Sequence, residues 1–510
     1  MQKRDDVIVV GGGIAGLTAA ALLARDGVSV TLLEAHYQPG GCAGTFRRGA
    51  YTFDVGATQV AGLEPGGSHA RIFQHLDLPL PEAELLDPGC VVDLADGSPP
   101  VHLWHDPLRW KQERQQQFPG SERFWQLCSF LHQSNWLFAA SDPVLPIRNG
   151  WDFKQTLAAI NPGNLLSAPL SLCTVKDLLT LSGCGSDQRL RRFLDLQLRL
   201  YSQQPADQTA ALYGATVLQM TQAPLGLWHL HGSMQVLSEL LASGLKRDGG
   251  TMLLRHRVQQ LQQNSDGSGW QLRVEGPGRK EQIFHAGDVI STLPPQCLPE
   301  LIAPEHSADQ RPMPAPYRQH LTELEAPSGA LVFYGAIDRA YLPNDCPGHY
   351  QRDASDPGSV FISISREGDG RAPKGQATVI ASVFTTPMGW FSGSETEYQS
   401  KKKACQTNIR NEVEAALGLS GHTTWRHQEL ATPRGFLRWT GRPNGIVGGL
   451  GQSPSRFGPF GLASRTPMPG LWLCGDSIHP GEGTAGVTLS AFMACRQLLA
   501  QRGQTLELNS

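Results

Sequence analysis

The chain has no excess of either charge sign: its 510 residues carry 43 Lys+Arg against 46 Asp+Glu, a formal net charge of −3. Without a basic surplus to neutralise phosphates, no nucleic-acid partner is expected. Long apolar runs are missing too. A membrane-spanning helix needs about 18 consecutive apolar residues, and the longest candidate, Asn164 to Leu181, is interrupted by Pro169, Lys176 and Asp177. The Met1–Asp6 stub ahead of Val7 has no apolar core with a cleavage site, so no signal peptide is expected. The ten cysteines form no CxxC pair. That excludes a zinc site and a disulfide framework and predicts reduced thiols in a reducing compartment. No catalytic triad, metal-ligand set or paired carboxylates stand out. His229 and His231 lie two apart, a spacing better suited to a strand or loop than to metal binding. Metal ligands are not predicted, and no catalytic base is named.

Glycine (56) and proline (36) are plentiful, and hydrophobic residues make up 40% of the chain, the profile of a loop-rich globular protein. The length exceeds one core, since domains commonly run to about 100–200 residues. Two domains are predicted, assembled from interleaved segments.

The first motif is local and complete. Val7-Ile8-Val9-Val10 is a β-branched run suited to a strand buried on both faces. It is followed by Gly11-Gly12-Gly13-Ile14-Ala15-Gly16, a GxGxxG. Leu17, Ala20, Ala21 and Ala24 then recur at helical spacing up to Gly27. A second strand, Val28 to Leu33, ends at Glu34. In this layout Gly11 allows the tight turn, Gly13 the approach of a pyrophosphate, and Gly16 the close packing of helix on strand. The helix N-terminus, opened by Ile14 and Ala15, stabilises phosphate charge. Glu34 is placed to accept hydrogen bonds from a ribose hydroxyl pair, which disfavours the 2′-phosphate of NADP.

After Glu34 come Ala35 and a second glycine loop, Gly40-Gly41-Cys42-Ala43-Gly44, and then Phe53-Asp54-Val55-Gly56-Ala57-Thr58. This E-x5-G-G pattern resembles the start of FAD-binding oxidoreductases of the amine oxidase and phytoene desaturase superfamily. Near the other terminus, Gly470 to Cys474 reads as a short buried strand. Gly475-Asp476, Pro480 to Val487 and an apolar helix through Leu499 follow. The resemblance implies that Asp476 lies against the ribityl–phosphate region. It also implies that the backbone around Gly486 and Val487 meets the flavin pyrimidine edge, where a helix N-terminus stabilises the negative charge of reduced flavin. Gly481 to Gly486 matches GxGxxG literally, but Asp476 to Pro480 intervene after the strand and no second βαβ unit follows. One dinucleotide, FAD, is therefore predicted. A central block completes the pattern. Ser233 is predicted to cap a helix with the apolar face Val236, Leu237, Leu240, Leu241 and Leu245. A strand over Leu253 to Leu261 follows, then a strand at Asp288 to Thr292. The resemblance implies that the Val258 backbone meets the adenine. The cofactor set is thus Gly11, Gly13, Ile14, Ala15, Gly16, Glu34, Ala35, Gly41, Cys42, Gly56, Ala57, Thr58, Val258, Gly475, Asp476, Gly486 and Val487. FAD is expected to be held noncovalently, with Cys42 and Cys474 as small packing residues.

The resemblance narrows at Gln38–Phe46, Phe53–Gly62, Arg192–Leu198, His231–Met234 and Gly475–Ser477. These stretches are similar to cyanobacterial carotenoid oxidoreductases, above all the C-3′,4′ desaturase group. That implies a FAD-binding Rossmann-type, amine oxidase-like α/β domain (1–81, 224–300 and 431–510) and an α+β substrate domain with a mixed sheet (82–223 and 301–430). It also implies a hydrophobic carotenoid substrate, an electron acceptor that the sequence does not identify, and a cytoplasmic protein attached peripherally to a cyanobacterial thylakoid or plasma membrane. Trp104, Trp110, Trp125, Trp136 and Trp151 suit a second-domain core, and some of them a tunnel or membrane-facing rim. Three rivals stand beside the desaturase. One is a carotenoid isomerase using reduced FAD. A flavin amine oxidase is disfavoured because no aromatic-cage signature accompanies the C-terminal motif. A prenyl-lipid escort protein is disfavoured by the intact Gly475-Asp476 segment.

Overall fold

The β-branched run at the N-terminus forms the strand Asp5–Val10, whose Val7 to Val10 side chains are all buried. The computed structural model describes residues 5–302, 311–356, 358–419 and 423–508, so Met1–Arg4 of the leading stub lie outside the described residues. Among the described residues, parallel strands run in the order Thr251–Leu254, Val30–Glu34, Asp5–Val10, Glu281–Ser291, Leu471–Leu473. The first half of Glu281–Ser291 also pairs with antiparallel Trp270–Glu275, which in turn pairs with Arg257–Gln263. A strand buried on both faces needs helices above and below. The helix Ile14–Arg25 is itself buried from Ile14 to Ala24, because helices Gln235–Arg247 and Gly483–Gln501 pack against it. Ala19, Ala20 and Ala21, fully buried, permit that close approach.

Two local predictions are corrected here. The strand predicted over Leu253 to Leu261 is two strands, Thr251–Leu254 and Arg257–Gln263. The break falls where Arg255 adopts a positive φ of 59° and the Arg255 and His256 amides donate to His36 O and Glu34 O. The first piece extends the parallel sheet, and the second turns into an antiparallel hairpin. The central helix begins at Gln235, not directly after Ser233. The Met234 amide is taken by Asp54 Oδ1 at 2.9 Å, and Ser233 Oγ accepts from the Gln235 amide at 3.3 Å. Its apolar face is as predicted, with Leu237, Leu241 and Leu245 buried.

The second sheet runs Trp425–Ala431, Gly329–Asp338, Gln376–Thr385, Ser359–Ile364, His349–Asp353, Val91–Asp93, Val101–His102. It is antiparallel except where Val91–Asp93 runs parallel to His349–Asp353, so it is mixed, as expected. A helical layer between Pro107 and Val217 shares an aromatic core of Trp110, Trp125, Phe118, Phe124 and Phe193. Trp110 and Trp125 are therefore core residues, while Trp104, Trp136 and Trp151 are half-buried. Among the described residues, no helix is long and apolar enough to cross a membrane.

Candidate functional site

The two glycine loops interlock at the end of the parallel sheet. Gly11, at a φ of +104°, donates its amide to Leu33 O at 2.9 Å and leads into the first helix. A Cβ on Gly16 would overlap the Gly11 carbonyl, so this position requires glycine. A Cβ on Gly13 would meet nothing within 4 Å, which leaves space above the helix start. The first bond of that helix runs from the Leu17 amide to Gly13 O at 2.9 Å. The amides of its opening residues, Ile14, Ala15 and Gly16, have no partner within the helix and can bind an anion. No acidic side chain occupies that turn.

Glu34 ends the second strand with both oxygens engaged. Oε2 accepts from the Gly12 amide and Oε1 from the His36 amide, each at 2.6 Å. Each carboxylate oxygen keeps a further lone pair for a ribose hydroxyl. Ala35 beside it is exposed, and Val258 lies two residues beyond His256, whose amide donates to Glu34 O. The second loop docks on the first: the Gly40 amide donates to Gly12 O at 2.8 Å, and a Cβ on Gly41 would crowd the Gly13 Cα at 3.3 Å. Cys42 O accepts from the Ala57 amide at 3.4 Å, which brings Gly56, Ala57 and Thr58 alongside. Thr58 is buried, and its Oγ1 has no partner.

The C-terminal motif closes the far side. The Cys474 amide bonds Ser291 O at 3.1 Å, and the Gly475 amide bonds Ser490 Oγ at 3.1 Å. Asp476 Oδ2 pairs with Arg442 Nη1 at 2.8 Å, and Ser477 Oγ donates to Asp476 Oδ1 at 3.3 Å. Arg442 also reaches Gly448 O, while its Nε is buried without a partner. Gly486 and Val487 are the fourth and fifth residues of the C-terminal helix, just past its opening amides, and its first turn again holds no acidic residue. Burial pushes the Cys42 thiol up, with the Arg442 charge opposing, and burial pushes the Cys474 thiol up to about 12. Both thiols stay protonated, in keeping with packing rather than nucleophilic roles.

Several residues in this region escaped the sequence reading. Arg442 and Gln203 join the C-terminal motif from afar, Arg442 at Asp476 and Gln203 at Glu482 within the motif itself. Behind the second loop, Arg371 bonds Asp54 at 3.0 Å and Asp369 at 3.0 Å, and His229 bonds Asp369 at 2.8 Å; all four side chains are buried. His229 is on the strand Leu227–Leu230, as a strand placement required. An apolar wall of Phe46, Phe53, Val55, Val332, Tyr334, Ile380 and Phe436 lies between the second sheet and this loop, with Tyr334 Oη donating to Val55 O at 2.6 Å.

Two free helix starts, a carboxylate at the end of the second strand, an unpartnered threonine hydroxyl and an open glycine cradle fit FAD. The model for flavin containing amine oxidoreductases matches residues 14–499. The chain is 25% identical to the chloroplastic prolycopene isomerase of Daucus carota over 98% of this chain and 81% of that protein. It is 27% identical to the hydroxyneurosporene desaturase of Cereibacter sphaeroides over 98% of both. The fold matches cyclohexylamine oxidase from Brevibacterium oxydans with a TM-score of 0.58 at 18% identity, over 97% of this chain and 100% of that one. The chain is an FAD-dependent oxidoreductase and belongs to the flavin containing amine oxidoreductase family.

Proposed function

We propose that the protein is a carotenoid desaturase that oxidises a C–C single bond near the acyclic end of its substrate, at C-3′,4′, to a double bond. The observation that carries this reading is the match to the hydroxyneurosporene desaturase over 98% of both chains. Bound FAD supplies a two-electron hydride acceptor. Overall, two electrons and two protons would pass from the substrate to an acceptor such as oxygen or a quinone, which would leave as peroxide or quinol. The chain's own part is to bind, orient and keep dry. The interlocked glycine loops and Glu34 hold the adenosine and pyrophosphate, with the Val258 backbone against the adenine. Gly56 to Thr58, Asp476 and the Gly486–Val487 turn hold the flavin end. The buried aromatic cluster around Phe53 and Tyr334 ties the second sheet to the strand that follows the second glycine loop. Residues 1–81, 224–300 and 431–510 form the cofactor unit in this reading, and 82–223 with 301–430 the substrate unit.

A polyene dissolved in a bilayer must be reached at its surface. The exposed apolar side chains Phe153, Leu157, Leu165, Leu166 and Leu172 support membrane docking through the helices around them, rather than through the tryptophans.

The match to the carrot prolycopene isomerase favours a second reading, double-bond isomerisation with reduced FAD. One incubation separates them: oxidised holoenzyme, without oxygen, with a hydroxylated acyclic-ended carotene. Desaturation yields a product lighter by two hydrogens, absorbing at longer wavelength, with one flavin reduced per turnover. A product of unchanged mass, formed only after the flavin is reduced, replaces the desaturase reading with the isomerase one.

A further inference from the structure

Helix Gln188–Ser202 lies across the second sheet, fixed there by Arg192 to Asp353 at 2.7 Å and by Gln197 Nε2 to Gln351 Oε1 at 2.5 Å. Between helix and sheet is a cavity of about 40 Å³. Such a volume has room for about three water-sized groups. Leu200, Ala330, Phe361, Val383 and Phe384 make most of its lining apolar, and Arg199, Gln351, Ser359 and Ser382 supply the polar part. Ala330 also belongs to the aromatic cluster around Phe53 and Tyr334. Phe384 stands opposite Ala330 and Ser382 opposite Val332, so cavity and cluster share one face of the sheet.

The polar groups of this cavity are short of acceptors. Gln351 is saturated: its Oε1 accepts from Gln197, and its Nε2 donates to Leu196 O at 2.9 Å and to Ser359 Oγ at 3.0 Å. Ser359 accepts in that bond and keeps its own hydroxyl hydrogen to donate. Among the described residues, the Ser382 hydroxyl and the Arg199 guanidinium have no partner. The other arginines of the helix do: Arg189 pairs with Asp96, Arg191 with Asp195 and Arg192 with Asp353. An exposed arginine without a carboxylate is ordinary by itself. This one lines an apolar cavity beside two hydroxyl donors.

We propose that this cavity binds the carboxylate end of a long-chain acid. Arg199 pairs with the carboxylate, Ser359 and Ser382 donate to it, and the first carbons of the chain fill the apolar remainder. Charge-assisted bonds of this kind are roughly twice as strong as neutral ones, so an alcohol of the same chain length is the weaker ligand. Two sources supply such an acid: a saturated fatty acid from a lipid surface, or a conjugated polyene acid. The site uses neither the glycine loops nor the desaturation chemistry, so this inference and the carotenoid reading fail separately.

The test is calorimetric titration of the holoenzyme with decanoate, with decatetraenoate as the conjugated acid of equal length, and with decanol, at about pH 8, where carboxylates are ionised. At least one acid is expected to bind saturably, about tenfold or more tighter than decanol; the tighter of the two acids identifies the source. Arg199→Gln should bring both acids to the level of decanol, with flavin absorbance unchanged. Leu165→Asp combined with Leu166→Asp, which alters the exposed leucines elsewhere, should leave the preference for acid intact. Acids that bind no tighter than decanol overturn the proposal. So does a preference that survives Arg199→Gln, or one that disappears in the double leucine variant.

Discussion

Glu34 holds the two glycine loops in place and, in the proposed binding mode, would also accept a ribose hydroxyl. Its two oxygens hold the Gly12 and His36 amides at 2.6 Å and so fix the geometry of both glycine loops. Glu34→Ala orphans two amides, at about 1–3 kcal/mol for each that remains buried, and removes the ribose acceptor. FAD affinity, read from flavin fluorescence on titrating apoprotein, should fall by about tenfold or more. Glu34→Gln, which keeps one acceptor oxygen, should fall in between. The place of Glu34 at the end of the second strand was legible because strand, glycine turn and helix belong to one βαβ unit. Arg442 and Gln203 were not legible, since their partners Asp476 and Glu482 lie 34 and 279 positions away. Glu482 carried a faint signal, a lone acid in a neutral glycine-rich loop, that glycine counting alone passes over.

At the scale of elements, the helices from Glu122 to Leu181 carry the outer apolar surface. The tryptophans were expected chiefly in the second-domain core, with some of them at a rim. The largest aromatic surfaces are instead drawn into the core, as with Trp110 and Trp125, while aliphatic side chains stay outside. In the short helix Pro162–Ser167, Leu165 and Leu166 are 68% and 71% exposed, an arrangement that a water-facing helix gains nothing from. Burying each side chain in lipid is worth about 1.5–3 kcal/mol. Leu165→Asp combined with Leu166→Asp should therefore lower liposome binding, measured by flotation, by about a hundredfold or more. FAD content should be unchanged, because the helix lies outside the glycine loops. Flotation should depend little on salt, since no strong basic patch accompanies these leucines. Element boundaries were legible where glycine ends a helix, as at Gly27. They were obscured where a distant carboxylate takes over the capping, as Asp54 does at Met234.

At the scale of the molecule, the Asp54–Arg371–Asp369–His229 cluster joins the second glycine loop to the segment ahead of strand Gln376–Thr385. Burial works against the Asp369 carboxylate, but the His229 hydrogen bond and the Arg371 charge outweigh it and hold the group down at about 2. Its folded value lies below its unfolded value of about 3.9, so its contribution to stability is full above that value. The contribution is lost as pH falls toward about 2. Arg371→Met strands two buried carboxylates and should destabilise the protein by about 3–5 kcal/mol at neutral pH, measured by urea unfolding. The deficit should shrink as acid neutralises those carboxylates. The general architecture was legible because each glycine motif announces its own strand and helix. The cluster was not, since Asp54 and Arg371 are 317 positions apart and neither belongs to a motif. The strand Leu471–Leu473 completes the sheet on Glu281–Ser291, and the helix after it packs on the helix Ile14–Arg25. In the proposed binding mode the N-terminal loops hold the phosphates and the segment from Asp476 onward the flavin end, so a variant truncated before Asp476 should purify without flavin bands in its visible spectrum.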